Sequence, residues 1–75
     1  MTDAREEQAQ RLDRAAHELE QAAKHCRTAA AHFRDAEVPR ACAHTVAADG
    51  HLREARDVLN RVARAHAERA TPLDD

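Results

Sequence analysis

Residues 25–44, HCRTAAAHFRDAEVPRACAH, gather three histidines and two cysteines around one proline. Their spacing has a period. Glu18, His25 and His32 recur every seven residues before the proline, and Glu37, His44 and His51 do so around and after it. Neutral imidazole is a ligand for Zn, Cu or Ni, so the first chemistry to weigh is transition-metal binding. On a helix, seven residues span about 10.5 Å along the axis, so two histidines of one column cannot share an ion. The i, i+4 histidine pair that chelates within one helix is absent. Two helices lying antiparallel change the geometry. A chain that reverses near Val38 sets residue n opposite roughly residue 76 − n. His32 then faces His44, and His25 faces His51. Each rung offers two nitrogens, with further ligands from a second subunit, a glutamate or water.

The bland reading of the same residues is that a seven-residue repeat places any residue type in columns, and these histidines edge a helix. Cys26 and Cys42 fall about eight residues out of step, roughly 12 Å. That excludes a shared thiolate site, and they are expected as small buried hydrophobes. His17 and His66 lie outside the scheme. No CxxC, HExxH or glycine-rich phosphate loop is present. There is no serine to act as a nucleophile. His25 and Cys26 are sequence neighbours on different helix faces, a poor general-base geometry. No catalytic residue is assigned.

The elements that must position these side chains are helices. Aromatic residues make up 1% of the 75 residues, and Gly50 is the one glycine. Alanine, arginine, glutamate and leucine dominate, all helix formers. The fold class expected is all-α. Asp3 and Glu6 have capping spacing and open a first helix over about 4–36. Its apolar ridge is Leu12, Leu19, Cys26 and Phe33. Alanine strips flank it: Ala9, Ala16, Ala23 and Ala30 on one side, Ala15, Ala22, Ala29 and Ala36 on the other. Val38-Pro39 stops this helix and starts the next, because proline disfavours helix before it and suits a helix start. So short a link makes an antiparallel hairpin.

The return segment, about 39–70, carries Val38, Thr45, Leu52 and Leu59 in one column and Ala41, Ala48, Ala55 and Val62 in the next. Gly50 interrupts it, and glycine favours helix ends. Two architectures follow: one continuous return helix, or a break at Gly50 giving three helices. Gly50, Leu52, Ala55, Leu59 and Val62 resemble the turn and second helix of a tetratricopeptide-type hairpin over about a third of the chain. The family's second repeat and its aromatic positions are missing, so the family is not assigned. Thr71-Pro72 ends the helix, and residues 71–75 are expected to fray.

Residues 1–75 make one small domain at most. Ten large apolar side chains (Leu12, Leu19, Phe33, Val38, Val46, Leu52, Val58, Leu59, Val62 and Leu73) are few for a self-sufficient core. Self-association is therefore expected, as a homodimeric bundle of hairpins through Leu12, Leu19, Phe33, Leu52, Leu59 and Val62. A different protein partner would fit the same stripe. The alternative function is a Zn, Cu or Ni binding or sensing protein using His25, His32, His44 and His51. Net charge is −2. Arg53, Arg56 and Arg64 are diluted by Glu54, Asp57 and Glu68, with no aromatic platform for bases, which argues against nucleic acid. The opening MTDAREEQAQ has no apolar run. Neither a signal peptide nor a membrane span is expected, and the cytoplasm is the expected location.

Overall fold

The computed structural model describes residues 3–70, which form two helices, α1 (Ala4–Arg34) and α2 (Val38–Arg69), packed against each other. The expected fraying of residues 71–75 lies outside the described residues. α1 starts as its sequence dictates. The Asp3 carboxylate accepts the Arg5 N–H at 2.8 Å, and Glu6 and Glu7 sit in the first turn, where the helix dipole favours them.

The chain reverses through Asp35, Ala36 and Glu37, slightly before the expected Val38-Pro39. Ala36 is left-handed, at φ 59. The Glu37 N–H bonds back to the His32 carbonyl at 2.8 Å, and the Ala36 N–H to the Phe33 carbonyl at 3.1 Å. These are the two bonds of a Schellman turn. That motif commonly closes with an apolar contact between the residues at its two ends. Here the same two residues meet through their side chains, His32 Nδ1 to Glu37 Oε2 at 3.2 Å.

α2 is continuous through Gly50, so the three-helix alternative is not what the chain adopts. Glycine in a helix costs about 1 kcal/mol relative to alanine. Ala48 and Ala55, buried on either side of it, hold the helix in phase against α1. Arg53 also spans the position, donating to Asp49 at 2.7 Å.

The seam between the helices is made of alanine. Ala15 and Ala29 of α1 meet Ala41, Ala48 and Ala55 of α2, and among the described residues Val58 is the one large side chain fully buried. The Cα trace is only 12 Å thick, a single layer of helix. Both broad faces of the hairpin are therefore open. On one, the Leu12 column of α1 lies beside Thr45, Leu52 and Leu59. The other carries the histidines.

Two backbone positions hold the wrong residue for their geometry. A Cβ built on Gly50 meets nothing within 4 Å, and its φ is not positive. Ala36, in contrast, occupies the left-handed region that favours glycine. Gly50→Ala and Ala36→Gly are each expected to stabilise the hairpin by about 1 kcal/mol, and together additively. Thermal denaturation should show a rise of about 4–8 °C for each.

Candidate functional site

Stepping seven residues back from Ala22 or Ala29 stays on the seam, and stepping three residues on moves to its edge. Glu18, His25 and His32 therefore border the α1 strip, as His44 and His51 border the α2 strip. In α2 the next place in that column is Val58, which ends the polar run with a buried aliphatic side chain.

The side chains on this edge form one continuous line. Starting from the open end, Glu18 Oε2 meets His51 Nδ1 at 2.6 Å. The His51 ring stacks on His25, with centroids 5.4 Å apart. His25 Nδ1 and His44 Nδ1 lie 2.9 Å apart, their rings 28° from parallel. His44 stacks on His32 at 5.4 Å, and His32 Nδ1 reaches Glu37 Oε2 at 3.2 Å. Rings from the two helices alternate, and a carboxylate closes each end. All four histidines are half-buried. Arg40, donating to Glu37 Oε2 at 3.2 Å, anchors the terminal carboxylate from outside.

The expected partners are neighbours, but not in the expected way. His32 with His44, and His25 with His51, touch as stacked rings. The direct nitrogen contact is His25 with His44, one heptad away from the expected register. Among the described residues, no three histidine, cysteine, aspartate or glutamate side chains converge as a metal-binding group. The four rings stand in a row rather than around a point. His17 and His66 are exposed and outside the row, as expected. Cys26 and Cys42 correct the expectation of burial. Both are exposed free thiols, because Cys26 lies in the leucine column that no helix covers.

The row obeys a proton rule. Two imidazole Nδ1 atoms at 2.9 Å must hold one hydrogen between them, since two N–H donors would collide and two lone pairs would repel. His51 and His32 each face a carboxylate, which can only accept, so each presents an Nδ1–H to it.

Glu18 carries the electrostatic signature of this arrangement. Its carboxyl is held below its ordinary value of 4.5, chiefly by the hydrogen bond from His51. Burial opposes that shift, and the charges of His51, His17 and Arg14 assist it. Sequence reasoning left Glu18 and Glu37 in their columns without a role. The seven-residue spacing that marked the histidines also marked these carboxylates as the ends of the row.

The described helices include none long and apolar enough to cross a membrane. Comparison with protein-family models, curated proteins and solved structures finds no match to the chain.

A carboxylate with a depressed pKa stabilises the fold above its unfolded pKa, and that contribution is lost as pH falls through the folded value. Glu18→Gln is therefore expected to lower stability at neutral pH. Urea denaturation across an acid series should show the difference from wild type shrinking, and vanishing once Glu18 is protonated in both states. A constant difference down to strong acid would mean that the His51 contact does not set the behaviour of Glu18.

Proposed function

We propose that this chain is a non-catalytic helical module whose work is self-association, two hairpins packing their leucine faces into a four-helix bundle. The carrying observation is the open apolar face. Leu12, Leu19, Phe33, Leu52 and Leu59 remain 43–51% exposed in the hairpin. Between them runs a mostly apolar groove lined by Ala22, Ala23, Cys26, Thr45, Ala48 and Leu52, with Asp49 beside them. Val62, the sixth residue expected on this face, instead continues the alanine seam and is half-buried.

A second copy is the occupant that the dimensions favour. Helices of 31 and 32 residues are roughly 46 Å long at 1.5 Å per residue. At helix spacings of 8–10 Å, the open face is about 18 Å across. Its area is thus about 800 Å², which is what a standard interface takes from each partner. Ridge and alanine strip share one seven-residue period, so the face of one hairpin can interdigitate with that of another. The module is placed in the cytoplasm, where exposed thiols such as Cys26 and Cys42 stay reduced.

Sedimentation equilibrium at micromolar concentration tests the reading, and a dimer is expected. Leu19→Lys and Leu52→Lys should each weaken it by about 2 kcal/mol, roughly 30-fold in Kd. Val46→Lys, at a position exposed on the far side of α2, should leave it unchanged. A stable wild-type monomer would refute self-association and leave the face to a different protein partner.

A further inference from the structure

We infer that the second copy docks with its turn at the opposite end, α1 lying on the partner's α1 and α2 on the partner's α2, both antiparallel. This inference rests on the self-association proposed above and fixes how the two faces meet. A closed dimer has a two-fold axis, and two such axes can lay leucine face on leucine face. With the axis along the helices, both turns share one end and α1 covers the partner's α2. With the axis across the helices, the turns lie at opposite ends and each helix covers its own copy. The charged residues beside the leucine columns distinguish the two.

On α2 the strip beyond the Leu52 column is Cys42, Asp49, Arg56 and Ala63. Asp49 borders the groove, and Asp49 and Arg56 are both exposed. They stand almost equally far on either side of Leu52. Antiparallel copies of α2 centred there set Asp49 against Arg56 of the partner subunit, and Arg56 against the partner's Asp49. Asp49 Oδ2 accepts from Arg53 within the chain, which leaves Oδ1 for the second guanidinium. On α1 the alanine strip beside the ridge is flanked by Glu6, Asp13, Glu20, Arg27 and Arg34, all exposed. Acids fill one half of this column and bases the other. Antiparallel copies of α1 centred near Leu19 pair Glu6 with the partner's Arg34 and Asp13 with the partner's Arg27. Glu18 meets His51 and Arg14 meets Glu54, so Leu19 and Leu52 stand at about the same height. One axis therefore serves both helices. With the turns together, Asp49 and Arg56 would lie on the alanine strip of the partner's α1. Both charges would be covered without a partner, which is costly. Glu6, Asp13, Arg27 and Arg34 would stand opposite the partner's Ala67, Asn60, Val46 and Pro39, none of them charged. Glu20 alone favours that arrangement, where it meets Arg53 of the partner subunit; with the turns apart it meets its own copy.

The test joins a mass to a distance. Asp35→Cys at the exposed turn, combined with Cys26→Ser and Cys42→Ser, gives one spin-labelling site per chain. Sedimentation equilibrium of wild type and labelled chain should show dimers, and double electron–electron resonance should place the two labels about 46 Å apart, one helix length. A dimer with labels about 15 Å apart, the diagonal of a bundle, would overturn the opposed turns and leave self-association standing. A wild-type monomer would refute both. Charge exchange reads the same contacts without a label. Asp49→Arg and Arg56→Asp should each raise the dimer Kd by about tenfold, through like charges set against each other. The double variant should return it close to wild type, and a double variant as weak as the singles would overturn the pairing. Glu20→Gln should tighten the dimer by removing a like-charged contact, whereas a weaker dimer would mean that Glu20 meets Arg53 and the turns lie together. Circular dichroism shows which variants keep their helices; where one does not, the label distance decides, and if the labelled chain alone dissociates, the charge exchange decides.

Discussion

The close approach of two alanine strips sets every other distance in this hairpin. Helix axes separate by about 8–10 Å according to the side chains between them, and alanine gives the short end of that range. At that spacing imidazoles rooted on opposite helices can meet nitrogen to nitrogen, as His25 and His44 do at 2.9 Å. A leucine at Ala48 or Ala41 would wedge the helices apart and open the row of rings. The same small residues explain the bare face. A seam of alanine buries little apolar area, so the leucines and Phe33 remain beside it rather than between the helices.

An alanine seam is poor at specifying register, because sliding one helix by seven residues again sets alanine on alanine. The histidine row removes that freedom. It has two distinct ends, Glu18 pairing with His51 and Glu37 pairing with His32. A slip of one heptad would leave a carboxylate without its imidazole. Half-buried polar pairs contribute modest stability, yet they penalise wrong pairings, as single polar residues do in coiled coils. Glu37 ties this row to the turn. Its N–H closes the Schellman motif on His32 and its carboxylate meets the His32 ring, so one residue couples loop geometry to register.

The helices and their edges were legible in the sequence because the seven-residue columns state them directly. Alanine columns predict the seam, and the Glu18 and His44 columns predict an imidazole edge. Register was not legible to the residue. A reversal centred on Val38 sets histidines face to face, whereas the observed turn centres on Ala36, two residues earlier. That shift places each inner ring between two rings of the other helix, turning rungs into an interleaved row. The left-handed residue is an alanine, so composition gave no glycine signal there. Gly50 misled in the opposite sense. Its local preference to end a helix, about 1 kcal/mol, is outweighed by the burial of Ala48 and Ala55 on the seam.

The two open faces differ in what covering them would require. Burying the histidine face would strip water from Glu18, Glu37 and four imidazoles, a desolvation penalty that pairing only partly offsets. Burying the leucine face removes mainly hydrocarbon from water, at about 25 cal/mol per Å² gained. In a bundle assembled through the leucine face, the row of rings therefore stays on the outside, within reach of protons and ions. Association and imidazole chemistry then share one rigid seam without sharing a surface.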